Sequence, residues 1–463
     1  MSAQPFTELP LSKREFDSTT CGARSEYSAL LLRSLGAVVT ASGRGTDLEI
    51  ASDWASSGLI PLTGQVDSPL QGPSAIPSAA RGALDALELL VKKGSMAGLD
   101  GARLLSERAA YLQLHGQGSV SANGSCHLLE ANDGWIALNL ARDEDWQLIP
   151  AWLEGPGLVE GWGVVAAGVK ARSVGWLLKR GRMLGLPVAP AQSGVVDAES
   201  WFSIGARSPT AVTGDRAPLV VDLSSLWAGP LCTHLLEKTG ARVIKVESST
   251  RPDGARRGNA AFYDLLNSGK ESVVFDLTQA YGVQQLLALL SQADIVIEGS
   301  RPRALRHMGI DAERLVQESA GLTWVSITGY GRSQPEADWV AFGDDAAVAA
   351  GVASAAANPP VFCGDALADP LTGIHAALAA TAFWQGGGGV LLDLNLAGVT
   401  AHCLNFHADN VRGEVARRGE RWALLCNDRR YEVCSPVTRQ TPGVAAPAGR
   451  DTDRIIAEFK LPC

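Results

Sequence analysis

The chain has 463 residues, 46% hydrophobic and 19% charged, with a formal net charge of −9. That balance fits globular cores rather than disorder, and a length of about two or three domains. The acidic sum disfavours a general role on nucleic acid or on a membrane surface, so an anionic ligand needs a local basic cluster. The eight cysteines, Cys21, Cys126, Cys232, Cys363, Cys403, Cys426, Cys434 and Cys463, include no C-x-x-C pair. Neither a zinc ribbon, a thioredoxin-like motif nor a disulfide scaffold is therefore expected. Met1–Phe16 lacks the basic start and apolar run of a signal peptide. Apolar runs break before about 18 residues, so no membrane span is predicted and the cytoplasm is the expected location.

In chain order, residues 1–104 read as a truncated, degenerate copy of a unit that returns complete at 219–463. Leu30–Thr40 resembles His234–Ile244, with Gly36 matching Gly240. Asp53–Gly64 resembles Asp345–Ala356, with Gly58 matching Gly351. Ala75–Leu87 resembles the stretch Gly364–Ala380, with Ser78 in the place of Asp369 and Gly82 in that of Gly373. Three matches in one order argue for a duplication whose first copy lacks most strands between Gly36 and Gly58. Residues 105–203 read as a small α+β domain: a strand pair around the Asn132-Asp133-Gly134 turn, a tryptophan-rich helix, then a helix, loop and strand from Val174 onward. Residues 204–218 are polar and rich in turn formers, a linker. Beyond it, strands at 219–226, 241–247, 271–277, 293–299 and 322–331 alternate with helices such as 229–240 and 280–292. That alternation predicts an α/β fold with a doubly wound parallel sheet.

Three features could carry chemistry. Asp369-Pro370 reads as a helix start, with Asp369 as N-cap and Pro370 at the first helical position. Either the carboxylate only caps the helix, or it is kept ionised there and serves as a covalent nucleophile beside a reactive carbonyl. Arg251, Arg256, Arg257, Lys270, Arg301, Arg303, Arg306 and His307 follow strand ends, where open α/β sheets bind ligands. They are either a solvated loop surface or a polyphosphate site. The Asn267–Lys270 turn lacks Walker spacing, and no G-x-G-x-x-G follows the first strand, so NAD is not expected. Gly386–Gly389 is either a connector or a run of N–H groups for an oxyanion.

Together Val220–Glu247, Asn267–Leu277, Ala293–Ile310, Ser326–Asp338 and Ala368–Ala380 resemble the class III CoA-transferase family, which includes formyl-CoA and carnitine-type CoA-transferases and α-methylacyl-CoA racemases. The resemblance is strong over about residues 218–400, and Gly449–Phe459 is similar to the family's final helix. It implies a Rossmann-like large domain, a small α+β domain and two chains interlocked as rings; alternatively, the duplication lets one chain stand in for the pair. It implies that Asp369, in a D-x-x-x-G-x-H pattern with Gly373 and His375, attacks an acyl-CoA and passes CoA to an acceptor carboxylate through covalent aspartyl intermediates. Coenzyme A is then substrate, with no metal and no redox cofactor. By position, the implied CoA contacts are Trp227, Ala228, Arg256, Asn267, Ser268, Gly269, Lys270, Gly299, Ser300, Arg301 and His307.

The sequence departs from that pattern in places. The racemases' His-Asp pair falls on Phe342 and Gly343, which removes one base of a two-base proton exchange, with Asp344 and Asp345 next door. Trp227 stands where a polar residue is usual. Ser78 cannot be a carboxylate nucleophile, so one chain holds one complete site. A CoA-transferase is the leading expectation. The alternatives are an acyl-CoA racemase or isomerase on the same fold, and a non-catalytic acyl-CoA binder.

Overall fold

The computed structural model describes residues 8–17, 21–40, 43–155, 161–191, 200–214 and 216–462; Met1–Thr7 and Cys463, which entered the reading above, lie outside them. The first unit is small. Strands β1 (Glu15–Asp17) and β2 (Val38–Thr40) pair in parallel around helix α1 (Ala23–Ser34). Helix α2 (Asp47–Ser56) opens on a capping box: the Thr46 hydroxyl accepts the Glu49 N–H, and the Glu49 carboxylate accepts the Thr46 N–H. Helices α3 (Ile76–Leu90) and α4 (Glu107–Leu112) follow.

The second unit mixes strands and helices. Strands β3 (Cys126–Glu130) and β4 (Trp135–Asn139) form the hairpin at the Asn-Asp-Gly turn. Helices α5 (Asp143–Leu153), α6 (Trp162–Lys170) and α7 (Val174–Leu184) come next, and β5 (Val188–Pro190) pairs antiparallel with β4. Its own apolar core gathers Ile136, Leu138, Trp152, Val165 and Val188.

The third unit holds the main sheet. In chain order its elements are β6 (Ser203–Arg207), β7 (Leu219–Leu223), α8 (Ala228–Lys238), β8 (Arg242–Ser248), α9 (Ala260–Asn267), β9 (Glu271–Phe275), α10 (Ala280–Leu290), β10 (Ile295–Glu298), β11 (Thr323–Thr328), α11 (Gly343–Ala349), α12 (Ala368–Gln385) and β12 (Val390–Asn395). The spatial order is β9-β8-β7-β10-β11-β12-β6. Taking β7 as first, the six parallel strands run 3-2-1-4-5-6, the doubly wound order in which ligands bind beyond the carboxyl ends of the strands where the winding reverses. Because these strands are covered on both faces, they read as apolar runs rather than alternations. One expectation is corrected: the residues read as a linker from Ile204 begin inside the sheet, since β6 pairs antiparallel with β12 along its edge.

The first and third units share a helix arrangement. α3 crosses α1 as α12 crosses α8, and α3 packs on α12. Both matched glycines sit at those crossings. A Cβ on Gly82 would run into Arg24 O and Tyr27, and one on Gly373 into Ala228 O and Leu231. Between the units, Tyr27 of α1 donates from its hydroxyl to His375 Nε2 at 3.0 Å, because His375 Nδ1–H is held by Leu371 O at 2.7 Å. Burial keeps that imidazole neutral, its pKa lowered to about 3. The seven described cysteines are free thiols. Among the described residues no helix is long and apolar enough to cross a membrane, and no group of His, Cys, Asp and Glu could hold a metal ion.

Candidate active site

Asp369 lies in the first turn of α12, two residues past the N-cap rather than at it, because Leu367 takes the N-cap position and Ala366 before it is left-handed, φ 44°. The carboxylate faces the start of a second helix: the Ala228 N–H, first of α8, hydrogen-bonds it. Trp227, the N-cap of α8, is preceded by Leu226 with φ 69°, so both segments that frame the site carry backbone strain. Gly343 closes the third side. A Cβ there would overlap Asp369 Oδ2 and the Ala366 carbonyl, so no side chain fits.

Three more carboxylates surround this point. Asp365, fully buried, receives Arg108 Nε at 2.7 Å and Nη2 at 2.5 Å. Asp344 accepts the Ala366 N–H at 2.8 Å and Asn123 Nδ2 at 2.8 Å. Asp345 accepts the Phe342 N–H at 2.9 Å and Asn139 Nδ2 at 3.1 Å. The Arg108 guanidinium lies over the Trp227 ring, 4.8 Å from its centroid. Burial raises all the carboxyls that titrate here. Asp369 goes to about 7, with Asp344 and Asp365 adding to the rise and Arg108 and the Ala228 N–H opposing it. Asp344 goes to about 6, helped by Asp365, and Asp345 to about 7. The expectation that the helix start alone keeps Asp369 ionised is thus corrected: desolvation and like charge outweigh one N–H.

Beyond the carboxyl ends of β8, β10 and β11 a cavity of about 1230 Å³ opens against α5 and α7 of the second unit. Arg251, Arg257, Arg301, Lys179 and Arg182 line it together with Glu144, Asp145 and Asp338. None of the five cations is in an ion pair among the described residues, though Asp338 acts on Arg301 and Glu336 on Arg182. Arg301 is crowded by like charge: after burial, Arg303, Arg142 and Arg251 each lower its pKa. Arg182 lies 3.6 Å over the Trp339 ring. The wall ends at Val340, three residues before Gly343.

The sequence-derived contacts divide. Arg301 lines the cavity, while Gly299 and Ser300 turn the chain at the end of β10. Ala228 reaches Asp369 directly. His307 is exposed at the far end of the short helix Pro302–His307. The others present no free side chain. Lys270 is buried, its ammonium held by Asp222 at 3.1 Å, Thr233 at 2.7 Å, Asn267 at 2.9 Å and Pro230 O at 3.0 Å. Asn267 spends its amide on Tyr263 O at 3.0 Å, Ser268 is folded under the turn, and Gly269 is pressed against Glu237. Arg256 grips Glu247 with Nε at 2.9 Å and Nη2 at 2.6 Å. Trp227 is 1% exposed and packs edge-on against Phe262. Gly386–Gly389 lies at the opposite end of α12 from Asp369, about 25 Å along the helix, and packs on Thr210, Ala211 and Gly321. It is a connector there, not an oxyanion site. Sequence reading missed Arg108, Asn123, Lys179 and Arg182, which reach the site only through the fold.

The comparisons match one region of the chain. The model of CoA-transferase family III matches residues 218–432. Formyl-CoA:oxalate CoA-transferases of Escherichia coli O6:H1 and of Shigella boydii serotype 18 are 32% identical over 166 residues, 34% of this chain and 40% of theirs. The chain thus spans about two fifths of the length of these curated relatives. Among solved structures, a hypothetical protein of Mycobacterium tuberculosis is 26% identical, with 48% of this chain and 66% of that one covered and a TM-score of 0.41. A CAIB/BAIF family protein of Brucella suis is 24% identical, with the same coverages and a TM-score of 0.41. Over residues 218–432, then, the chain is similar to CoA-transferase family III.

Proposed function

We propose that the protein is a CoA-transferase that uses Asp369 as its nucleophile. Two observations carry the reading together: the Asp369 carboxylate faces the Ala228 N–H at the start of α8, and a chain of net charge −9 opens a cavity beyond its strand ends lined by five cations that are in no ion pair among the described residues. The cations suit the phosphates of coenzyme A, held beyond the strand ends with the thioester directed toward Gly343 and Asp369. Asp369 Oδ attacks the thioester carbonyl carbon; the C–S bond breaks and CoA thiolate leaves, giving a mixed anhydride. The thiolate then attacks Asp369 Cγ and expels the donor acid as its carboxylate. An acceptor carboxylate attacks the aspartyl-CoA thioester, CoA thiolate leaves again, and its attack on the acceptor acyl carbon restores Asp369. Each step exchanges one acyl bond for another, so thioester energy is conserved. The formyl-CoA:oxalate relatives suggest small acids as first substrates to try.

One observation favours a second reading. Asp344 stands beside Asp369 with its pKa raised to about 6, so a base faces the nucleophile although Phe342 is no histidine. Exchange of an acyl-CoA α-proton needs two such groups. Incubation with a panel of acyl-CoAs, hydroxylamine trapping and mass spectrometry decide between the readings. A hydroxamate at Asp369, absent in Asp369→Asn, supports transfer. Deuterium entering the α-carbon without any adduct would replace it with isomerisation, and CoA binding with neither would leave a binder.

A further inference from the structure

Arg108 lies outside the family-matched segment and 257 residues from Asp365, the carboxylate it holds. Its surroundings are specific. Asp344, Asp365 and Asp369 each act on it electrostatically, Asp365 most strongly, and among the largest influences on Asp369 it is the one cation. Glu107, its neighbour on α4, is engaged elsewhere, by Arg439 Nε at 2.8 Å. The Trp227 ring covers one face of the guanidinium and the Asp365 carboxylate pins its edge through Nε and Nη2. A planar fork held on a face and an edge has little freedom left.

The groups facing Asp369 can be named element by element: Ala228 N–H from α8, Asp344 from α11, Asp365 from the turn before α12, and Arg108 from α4. Two of the four are anions and one, Arg108, is a cation. We propose that Arg108 is a positioning residue for the Asp369 reaction: pinned by Asp365 and Trp227, it supplies the charge that keeps Asp369 available as an anion. The site is then incomplete without the α4 segment, although the nucleophile, the helix start and the strand-end loops all come from residues 218–432.

This inference rests on the reading of Asp369 as nucleophile, but its test does not depend on that reading alone. The Asp369 carboxyl is titrated by carbon-13 NMR of γ-labelled aspartate, its signal assigned by loss in Asp369→Asn, in the full chain and in Arg108→Gln, Arg108→Lys and Asp365→Asn. Loss of the cation must raise the Asp369 midpoint, and loss of a neighbouring anion must lower it. Expected shifts are about one pH unit upward for Arg108→Gln and a comparable shift downward for Asp365→Asn, with Arg108→Lys near wild type. The pH profile of hydroxamate formation should move with them, so that Arg108→Gln labels about tenfold more slowly than wild type below the midpoint and equally above it. A purely structural role would lower labelling at every pH and leave the midpoint in place, and that result overturns the proposal. Should Arg108→Gln not fold, Arg108→Met, which keeps the apolar stem without the charge, is titrated in its place, and an unchanged Asp369 midpoint in it overturns the proposal. Absence of any hydroxamate in the wild type, with the midpoints shifting as stated, would sink the transferase reading and leave the role of Arg108 standing.

Discussion

The first and third units cross their helices in the same way, yet the first turn of α3 and the first turn of α12 hold opposite chemistry. In α3, Ser78 Oγ donates to Asp53 Oδ2 at 2.6 Å, and Arg81 from the same helix pairs with Asp53 and reaches Asp100 Oδ1 and Oδ2 at 2.8 Å each and Ser56 Oγ at 3.1 Å. Its polar groups satisfy one another and the arginine fills the space. In α12, the residue matching Arg81 is Thr372, which is small, and the cation comes from another element. Asp369 is left with one N–H, two carboxylate neighbours and a glycine that yields it room. A shared helix crossing can thus carry polar groups that satisfy one another in one unit and a carboxylate held short of that in the other.

The largest effect expected is loss of the distinction itself. Asp369→Asn leaves two copies without a nucleophile, and transfer should fall by at least about a thousandfold, measured by exchange of labelled CoA. Gly343→Ala should come next. Its Cβ displaces the carboxylate without removing it, and a misplacement of about 1 Å costs roughly a hundredfold in rate. Hydroxamate yield at Asp369 checks this. Arg301→Gln should act on binding rather than on chemistry. The KM for acyl-CoA should rise about tenfold, and the salt dependence of CoA binding should weaken, because a charge-assisted contact is lost from the cavity.

A fourth prediction concerns pH. Asp369, Asp344 and Asp345 all have folded pKa values raised above the ordinary carboxylate range. Between about pH 4 and 7 these three carboxyls bind more protons in the folded chain than in the unfolded one, so their own contribution to stability falls as pH rises through that window, while the buried His375, His402 and His127, with lowered pKa values, contribute in the opposite direction. Activity runs the other way: Asp369 must be ionised to attack, so labelling should drop about tenfold per unit below about pH 7. Asp369→Asn should accordingly stabilise the fold at about pH 8, by about 1–3 kcal/mol, and have no such effect at about pH 4. Thermal melting at the two pH values measures it. Equal effects at both would mean that the carboxylate costs nothing in the fold.

How much of this was legible in the chain depends on range. The alternation from Leu219 onward announced the parallel sheet, and the Asn-Asp-Gly turn announced the hairpin of the small unit, because period and turn chemistry are local. Asp369 was legible as a helix-start carboxylate within a motif. The basic loops were legible only as charge. Nothing local distinguishes Arg301, which faces the cavity, from Lys270, whose ammonium is consumed by four acceptors in the core. The decision lies with Asp222, Thr233 and Pro230, brought to Lys270 by the crossing of α8. Arg108 and Asn123 had no local signal either, since their partners Asp365 and Asp344 are 257 and 221 residues away. Ile204–Arg207 looked like the start of a linker because an edge strand with one partner needs no apolar run.

The smallest effect expected is on the silent copy. Ser78→Asp places a carboxylate where the third unit has Asp369, but Asp53 stands within hydrogen-bond reach and Arg81 is already committed to Asp53 and Asp100. The new group would be a third anion around one arginine, so the fold should lose stability and no second hydroxamate should form. Adding Arg81→Thr copies the third unit more closely and removes the occupying side chain, yet it also strips Asp53 and Asp100 of their cation. It supplies no substitute for the five cations of the large cavity, none of which comes from residues 1–104. The double variant should therefore also remain unlabelled at position 78 while labelling at Asp369 continues. A hydroxamate at position 78 would show that the first unit lacks only a nucleophile and an open pocket, and that phosphate binding at the strand ends is not what separates the two copies.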